Sequence, residues 1–327
     1  MDNVIRVVVG LRPYRPSGFV VKGEKFDDKL VVHNYGHGGG GITLSWGSSA
    51  LALRETMGMD KGAVAVVGGG VMGLTSARLL QDAGWNVTIY TKNVARHAVS
   101  NVAGGQWSPA SVFDKSKATP AFLSQYNWAA RIAHHAQTNL GGPDYGIRWL
   151  ENYFLSSKPF TDDDSPDGIS DLFPYSREYL PGEHPFPSQY LRVNVTMMVE
   201  PATFLRRLTE DFHQAGGRLV IREFRDRAEV LSLSESVIFN CTGLGAKALF
   251  GDEELTPAKG QLVFMPPDTD VDYLTIGGGA GNLYMFSRSD AIVLGGTFKK
   301  GDWSTNPEAD ETARIVGEHQ RIFSGMV

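Results

Sequence analysis

The sequence predicts an α/β protein in which a mainly parallel, Rossmann-like sheet with flanking helices is joined to a second, mainly antiparallel sheet. The first sheet is indicated by residues 64–67, an all-apolar run typical of a buried parallel strand. A helical segment through 74–80 and a strand over 85–90 follow it. The second sheet is indicated by 282–287 and 291–298, where aromatic and polar residues alternate as in strands that roof a pocket.

Three glycines lie on the turn between the first strand and its helix. Gly68 permits a tight turn, Gly70 lets the backbone come close to a pyrophosphate, and Gly73 lets the helix pack on the strand. The helix N-terminus, at Val71 and Met72, supplies free N–H donors and the positive end of the helix dipole. This strand, turn, helix and strand predict a bound dinucleotide, whereas a glycine-rich turn without a ligand is the alternative.

Composition limits the classes of function. A chain of 327 residues predicts two domains, and a net charge of −5 without a basic run argues against a nucleic-acid partner. No apolar run approaches the ~20 residues of a membrane span, and residues 1–6 lack the apolar core of a signal peptide. We therefore expect a cytoplasmic protein without a membrane partner. The end of the sequence, 325–327, carries no peroxisomal tripeptide, and a peroxisomal location is left open.

Nearly sixty residues precede this dinucleotide unit, although such a unit normally opens its chain. They contain strand-like runs over 5–10 and 30–33, and a helix is predicted from about 47 to 57. Five glycines within 36–41 lie between the second strand and this helix. They present backbone amides to a ligand, and a second helix start there favours an electron-rich group.

A pair of histidines and an acidic run are the other features of the sequence that could indicate a metal site. His134 and His135 lie on a long helix that begins after Thr119, and neither has an acidic or histidine partner one turn away. The acidic run 162–164 lies in a stretch rich in Asp and Pro, which predicts a solvated loop. We predict no metal site.

Later segments return to the first sheet. A helix over 201–212 leads to a strand over 218–221, and 236–243 repeats the pattern of a strand followed by a glycine turn. The cofactor domain is therefore predicted to be made of separated pieces.

Several motifs together identify a family. The chain resembles the D-amino-acid oxidase family of FAD-dependent enzymes at residues 10–16, 33–41, 102–107, 240–243 and 294–298. The resemblance implies an FAD-binding domain over 31–115 and 200–262, and a substrate domain over 1–30, 116–199 and 263–327.

The motifs do not follow the family's order, because those at 10–16 and 33–41 belong near its C-terminus. If residues 59–327 are placed first and 1–58 are appended, the family's order is restored. The chain is therefore predicted to be a circular permutant, which proteins tolerate when the old ends lie close together.

The resemblance implies noncovalent FAD and oxidation of a D-amino acid by hydride transfer from Cα to flavin N5, with O2 as acceptor and H2O2 as product. Arg12 matches the family's carboxylate-binding arginine, and Tyr284 matches the tyrosine whose hydroxyl contacts the same carboxylate. Gly39 matches the residue whose carbonyl accepts from the substrate amine. The alternatives are a surface arginine before a proline turn and a sheet tyrosine with its hydroxyl in water.

The resemblance also implies cofactor contacts beyond the glycine turn. These are expected at Gly38, Gly40, Gly41, Ile42, Thr43, Lys92, Ser100, Gly105, Gln106, Phe224 and Thr242. His33 and His37 are expected to shape the glycine loop rather than to take part in catalysis.

Two positions depart from the family's pattern. Where an acidic residue usually ends the second strand and binds ribose, this chain has Lys92, which could pair with a 2′-phosphate and would favour NADP. Phe298 stands where D-aspartate oxidases carry arginine, which favours neutral or apolar substrate side chains. Arg288 and Lys299 are near enough in sequence to leave acidic ones open. No clear counterpart of the family's mobile tyrosine lid is found.

The sequence thus predicts an FAD-dependent D-amino-acid oxidase that acts on a D-amino acid and O2. An NADP-dependent dehydrogenase, a D-aspartate or glycine oxidase-like member of the same family, and a catalytically silent flavin-binding module are the alternatives. A homodimer is left open.

Overall fold

The computed structural model describes residues 3–93, 99–161 and 168–326. The acidic run 162–164 lies outside the described residues. The strands are β1 (Arg6–Tyr14), β2 (Val20–Phe26), β3 (Lys29–Tyr35), β4 (Ala63–Val67), β5 (Asn86–Thr91), β6 (Ile147–Ser156), β7 (Arg177–Tyr179), β8 (Tyr190–Val199), β9 (Arg218–Ile221), β10 (Val237–Asn240), β11 (Thr256–Met265), β12 (Tyr273–Gly277), β13 (Tyr284–Ser287), β14 (Ile292–Gly295) and β15 (Lys299–Lys300). The helices are α1 (Gly41–Arg54), α2 (Val71–Asp82), α3 (Pro120–Asn139), α4 (Pro201–Gln214), α5 (Arg227–Leu231), α6 (Gly245–Phe250) and α7 (Ala309–Ser324).

A six-stranded sheet has the order β2-β3-β10-β4-β5-β9. Its pairs are parallel, except that β2 runs antiparallel to β3. Along β4, Val64 and Val66 pack with α2 and α4 on one face, whereas Ala65 and Val67 pack with α5 and α6 on the other. Both faces are covered, which explains why β4 is apolar at every buried position. The predicted Rossmann-like arrangement is confirmed.

A nine-stranded sheet has the order β1-β11-β14-β13-β12-β6-β8-β7, and β15 also pairs with β11. Most neighbours are antiparallel, and β12 and β6 are parallel. One apolar cluster of this sheet contains Phe264, Leu274 and Phe286, and a second packs beneath α7 through Ile315 and Val316. The second, mainly antiparallel sheet is therefore confirmed.

The described segment before β4 contributes strands to both sheets. Strand β1 pairs with β11 along its whole length, and β3 lies between β2 and β10 inside the six-stranded sheet. Val4, before β1, and Phe323, in α7, pack on the same apolar cluster. The segment that precedes the glycine turn is therefore an integral part of the fold.

The sheets cross the predicted domain boundaries at two places. Strand β2 falls in 1–30 and pairs in the six-stranded sheet, while β11 falls largely in 200–262 and pairs in the nine-stranded sheet. The division into domains itself stays a prediction.

The first helix begins earlier than the sequence predicts. Helix α1 starts at Gly41, directly after a 3-10 turn over Gly38–Gly40, and not near Gly47. Gly47 lies inside the helix, where a Cβ would stand 1.8 Å from the Ala129 carbonyl oxygen of α3. This glycine is therefore a site of close helix packing rather than a helix boundary.

Candidate active site

The carboxyl ends of the parallel strands meet at one edge of the six-stranded sheet and open into a single cleft. Gly68 follows β4, Lys92 follows β5, Thr242 follows β10 and His37 follows β3, and all four line a cavity of about 1500 Å³. Ligands of open α/β sheets bind outside such carboxyl ends. Residues of the nine-stranded sheet also line this cavity.

The glycine turn before α2 has the geometry of a pyrophosphate site. Gly68 has a φ of +116°, and a Cβ there would stand 2.3 Å from the Cys241 carbonyl oxygen. A Cβ on Gly73 would stand 1.8 Å from the Gly68 carbonyl oxygen. Only glycine fits at these two positions, because Gly68 has a positive φ and Gly73 lies where the helix packs closely on the strand.

The N-terminus of α2 faces the cleft without a side-chain cap at Gly70. A Cβ on Gly70 would meet only the Ser100 hydroxyl, at 3.3 Å, and would otherwise enter the open cleft. The Val71 N–H donates to the Ser100 Oγ over 3.2 Å, and Val71 and Met72 line the cavity. An uncapped helix start with room for a ligand at its glycine fits a dinucleotide pyrophosphate.

A second uncapped helix start lines the same cleft beside α2, because a Cβ on Gly41 would stand 3.9 Å from Met72 Cε. Gly38–Gly40 forms a 3-10 turn, and α1 follows with no side-chain cap. Gly38 has a φ of +53°, and the Gly39 N–H donates to the Ser111 carbonyl oxygen over 3.0 Å. Gly39 is exposed, whereas its neighbours Gly38 and Gly40 are buried. The Gly39 backbone is therefore open to a ligand in the cleft.

Two buried histidines support this glycine loop. His37 is stacked on Phe19 with ring centroids 4.6 Å apart, and burial lowers its pKa to about 3. The His33 Nδ1 lies 3.0 Å from the Asn240 amide nitrogen, and burial lowers the pKa of His33 to about 4 although Glu24 is nearby. Both imidazoles are neutral at physiological pH. Within the described residues, neither ring nitrogen of His37 has a hydrogen-bond partner.

The side chains of Arg12 and Tyr284 contact each other on the nine-stranded sheet, where it lines the cleft. The Arg12 Nη2 donates to the Tyr284 hydroxyl over 3.3 Å, and its Nη1 donates to the Thr297 carbonyl oxygen over 3.3 Å. The guanidinium carbon lies 5.7 Å from the centre of the Phe298 ring. In the part of the chain that the structure describes, no carboxylate lies within ion-pair distance of Arg12. The guanidinium is therefore open to an external carboxylate.

Glycines on neighbouring strands make room for these two side chains. A Cβ on Gly260 of β11 would stand 1.9 Å from Arg12 Nη1, and a Cβ on Gly295 of β14 would stand 2.0 Å from the Tyr284 ring. The Tyr284 ring also stacks on Phe286 with centroids 4.6 Å apart. The sheet thus holds the guanidinium and the phenol against its own surface, which fixes the direction in which they face the cleft.

Most of the predicted cofactor residues line the cleft together with the three predicted catalytic ones. Those that line it are Arg12, Gly38, Gly39, Gly41, Ile42, Thr43, Gly68, Gly70, Val71, Met72, Lys92, Ser100, Gly105, Gln106, Phe224, Thr242 and Tyr284. Gly40 and Gly73 do not line the cleft. Both are buried where the backbone packs too closely to leave room for a side chain. A Cβ on Gly40 would stand 2.6 Å from the Val112 side chain.

The wall beside Arg12 is apolar and aromatic. Phe298 lies beside Arg12 and Phe286 stacks on Tyr284, while Leu262 and Trp303, the latter 54% exposed in the loop after β15, line the same cleft. The sequence reasoning missed Trp303, because a single tryptophan in a loop carries no periodic signal. Arg288 and Lys299 do not line the cleft.

Both of these cations are paired elsewhere. Arg288 is buried, and its guanidinium contacts Asp290 at 2.8 Å and Glu200 at 3.7 Å. The Lys299 Nζ lies 2.6 Å from a Glu308 carboxylate oxygen. Neither side chain offers a charge to a ligand beside Phe298.

The other end of the cleft is polar. The Lys92 Nζ lies 3.7 Å from a carboxylate oxygen of Glu223, and Arg222 lies over the Phe224 ring at 4.5 Å. Phe224 is buried and meets Tyr90 edge to face. The sequence reasoning missed Glu223 and Arg222, because the predicted strand over 218–221 does not by itself show that its end lies beside Lys92, which depends on the pairing of β9 with β5.

Two helix starts and a shared cleft at the carboxyl edge of a parallel sheet define the class of α/β proteins that bind a dinucleotide. The profile of the DAO family, described as FAD dependent oxidoreductase, matches residues 63–327. The chain belongs to this family of flavoenzymes, and its cofactor is FAD.

Several relatives have related activities. The chain is 32% identical over 265 residues to a D-amino-acid oxidase of Streptomyces coelicolor, which covers 78% of this chain and 76% of the relative. It is 27% identical over 264 residues to human D-aspartate oxidase, covering 79% and 75%. A glycine oxidase structure from Bacillus cereus ATCC 14579 superposes with a TM-score of 0.59 at 16% identity, covering 80% of this chain and 77% of that one.

Two further observations concern other classes of site. Across the described ranges, no helix combines the length and apolar character needed to cross a bilayer. The same ranges contain no group of three or more His, Cys, Asp or Glu side chains placed to hold a metal ion.

Proposed function

We propose that this protein oxidises D-amino acids with neutral or apolar side chains to 2-oxo acids, with release of ammonia and H2O2. The observation that carries the proposal is the Arg12 guanidinium, which faces the cofactor cleft beside the Tyr284 hydroxyl without a carboxylate partner among the described residues. The same cleft holds the two glycine turns of the flavin site. A carboxylate-bearing substrate and FAD would therefore meet in one cavity.

Arg12 is proposed to bind the substrate carboxylate through the two nitrogens of its guanidinium. A planar guanidinium pairs with a carboxylate through two parallel hydrogen bonds, which fixes orientation as well as position. The Tyr284 hydroxyl, 3.3 Å from Arg12 Nη2, is within reach of the same carboxylate. The amino acid would thus be held at one end by two groups on neighbouring strands.

Gly39 is proposed to accept a hydrogen bond from the substrate amine through its backbone carbonyl. Its exposed backbone lies on the loop before α1, which is joined to the end of β1, the strand of Arg12, by a bridge between His37 and Tyr14. With the carboxylate and the amine each held by its own group, and the side chain directed to the apolar wall, only one enantiomer can aim its Cα–H at the flavin. This is catalysis by orientation.

The glycine turns before α1 and α2 would hold FAD, which would supply a hydride acceptor and pass the electrons on to O2. The substrate would lose a hydride from Cα and a proton from nitrogen, which together reduce O2 to H2O2, and water would then hydrolyse the imino acid to the 2-oxo acid and ammonia. His33 and His37 are buried and neutral, which supports a structural role for both. The residues of the chain would therefore bind and orient the substrate rather than exchange protons with it.

The side-chain preference rests on the apolar wall. Phe298 lies beside Arg12, Trp303 and Leu262 line the same cleft, and the cations Arg288 and Lys299 are engaged by carboxylates of the chain. An acidic side chain would lose its hydration against this wall without gaining a partner. We therefore propose neutral or apolar D-amino acids over D-aspartate and glycine.

A peroxide-coupled screen of the purified holoenzyme against D- and L-amino acids, glycine and sarcosine tests this proposal. We expect H2O2 from D-alanine and from larger apolar D-amino acids, little from D-aspartate, and none from L-amino acids. Preferential oxidation of D-aspartate would assign the chain to the D-aspartate oxidase activity, and preference for glycine or sarcosine to the glycine oxidase activity. Tightly bound flavin without turnover of any of these compounds would indicate a silent flavin-binding module.

We also propose that the chain is a circular permutant of the family. The family profile matches residues 63–327, and the motifs at 10–16 and 33–41 precede that range although they belong at the family's other end. Strands β1 and β3, from the segment before the match, pair with β11 and β10 of the matched range. The packing of Val4 and Phe323 on one cluster supports the continuity that a permutation requires.

A further inference from the structure

The ribose end of the cofactor site lacks the acidic residue expected at the end of its second strand. In dinucleotide sites of this type an Asp or Glu about 20 residues after the glycine turn binds the ribose hydroxyls. Here β5 ends at Thr91 and Lys92 follows it, so the usual position carries a cation. A carboxylate for the ribose must then come from another part of the cleft.

The neighbouring strand supplies a carboxylate at this place. Strand β9 pairs in parallel with β5, and the pairing is continued by the Arg222 N–H, which donates to the Thr91 carbonyl oxygen over 2.9 Å. Glu223 therefore leaves the sheet beside Lys92, and a carboxylate oxygen lies 3.7 Å from the Lys92 Nζ. Both residues line the cleft.

We propose that Glu223 is the carboxylate that binds the adenosine ribose of FAD, and that Lys92 positions it through their ion pair. Each carboxylate oxygen accepts hydrogen bonds and neither donates, which suits the two hydroxyl donors of a ribose. The side chains of Lys92 and Glu223 are 65% and 69% exposed, so Glu223 retains the freedom to turn toward a ligand. The acidic function of the motif has thus moved from the end of β5 to the end of β9.

The neighbours of Glu223 agree with an adenosine at this position. The next residue, Phe224, lines the cleft and is held edge to face by Tyr90, which gives an apolar surface for an adenine ring. Arg222 is stacked over the same phenylalanine at 4.5 Å. The pyrophosphate turn at Gly70 opens into the same cavity.

The same pair of residues explains why Lys92 does not specify a 2′-phosphate. A phosphate beside Lys92 would also lie beside the Glu223 carboxylate, and like charges at this range repel. Arg222 and Lys92 together would attract a phosphate only if that carboxylate were removed. Glu223 is therefore inferred to bind a ribose 2′-hydroxyl and to reject its phosphorylated form.

Titrations of the apoprotein test this inference. The parent, Glu223→Ala and Glu223→Lys are titrated with FAD, 5′-AMP and 2′,5′-ADP, with binding followed by flavin fluorescence and by displacement of FAD. We expect Glu223→Ala to weaken FAD and 5′-AMP by about tenfold. Glu223→Lys is expected to weaken FAD similarly and to strengthen 2′,5′-ADP, because it replaces the repelling charge with an attracting one.

Glu253→Gln is the matched control. Glu253 also lines the cleft and also pairs with a lysine, Lys247 at 2.7 Å, but it follows α6 rather than β9. Its substitution is expected to change FAD binding less than threefold if only the ribose contact matters. Thermal unfolding of each apoprotein verifies that the exposed substitutions leave the fold intact.

Unchanged FAD affinity in Glu223→Ala, or tighter binding of 2′,5′-ADP than of 5′-AMP by the parent, would overturn the inference. Neither result depends on substrate. If the FAD titrations agree with the inference while no D-amino acid is oxidised, the proposed oxidase activity fails and the ribose contact stands. If D-amino acids are oxidised and Glu223→Ala binds FAD normally, the proposed oxidase activity stands and the ribose contact fails.

Discussion

The side chains proposed to bind the substrate are held in place by the residues packed against them. Arg12 is directed by the Thr297 carbonyl and the Tyr284 hydroxyl, and the bare backbone of Gly260 leaves space for its guanidinium. A carboxylate is bound more strongly by a guanidinium whose orientation is already fixed, because less rotamer entropy is lost on binding. The contribution of each of these residues can be measured separately.

Arg12→Ala is expected to lower kcat/KM for D-alanine by about 100-fold, because two charge-assisted hydrogen bonds to the carboxylate are lost. The variant should keep bound flavin and its yellow colour, since the glycine turns are untouched. Arg6→Ala, on the same strand but exposed, is the control and should oxidise D-alanine like the parent. Equal rates for Arg12→Ala and the parent would refute the site assignment.

His37 should make stability depend on pH in the acid range. Burial lowers its pKa to about 3, against an ordinary value near 6.5, so the unfolded chain binds a proton that the folded chain does not. Its contribution is full above about pH 6.5 and is lost as the pH falls toward about 3, at about 1.4 kcal/mol per pH unit.

We therefore compare melting temperatures of the holoenzyme at about pH 8 and about pH 5.5. His37→Phe, which can keep the stacking on Phe19, should show a smaller drop in melting temperature between these pH values than the parent does. His135→Gln, at an exposed position of α3, should show the parent's drop. An unaltered drop in His37→Phe would mean that His37 is not the group responsible.

At the scale of strands and helices, glycines decide how closely elements approach. Some of these positions could be predicted from the sequence, because Gly68, Gly70 and Gly73 follow an apolar strand in a known spacing. Gly47 could not, because its requirement comes from α3, which lies about 80 residues further along the chain. Glu223 and Trp303 were missed for the same reason, since both reach the cleft through tertiary pairing rather than through a local pattern.

Gly47→Ala should destabilise the contact between α1 and α3. Its Cβ would stand 1.8 Å from a backbone oxygen of Ala129, which cannot move without separating the helices. We expect a loss of about 3 kcal/mol in the free energy of unfolding, measured in urea. Gly317→Ala is the control, because a Cβ there meets nothing within 4 Å and alanine favours a helix interior. A neutral Gly47→Ala would contradict the observed helix packing.

Gly260→Ala acts on a side chain rather than on a backbone. Its Cβ would overlap the Arg12 guanidinium, which can turn away at little cost to the fold. We therefore expect a raised KM for D-alanine with a melting temperature close to that of the parent. A parental KM would show that Arg12 need not lie against β11 when substrate binds, and FAD titration checks that the cofactor site is unchanged.

At the scale of the whole molecule, the early segment of the chain is divided between the two sheets. Strand β3 occupies an interior position of the six-stranded sheet, and β1 forms an edge of the nine-stranded sheet. The sequence allowed the motif order and both sheets to be predicted. The domain boundaries could not be verified in the same way, because β2 and β11 pair across the predicted division.

A chain rebuilt with residues 59–327 before 1–58 should fold and bind FAD like the parent. The new join links Val327 to Met1, and we expect it to be tolerated because Val4 and Phe323 pack on the same apolar cluster. We expect equal flavin content and turnover in the rebuilt chain, measured on the purified protein. Failure to fold, with the parent folding under the same conditions, would count against permutation.

The interior position of β3 has a consequence for synthesis in the cell. His33 of β3 meets Asn240 of β10 across 207 residues of sequence. At about 5–20 residues per second, the ribosome needs roughly 10–40 s to make the partner strand after the first one has emerged. During that time β3 can pair with β2 but its other backbone edge has no partner, so the emerging chain is exposed to aggregation until β10 has been made.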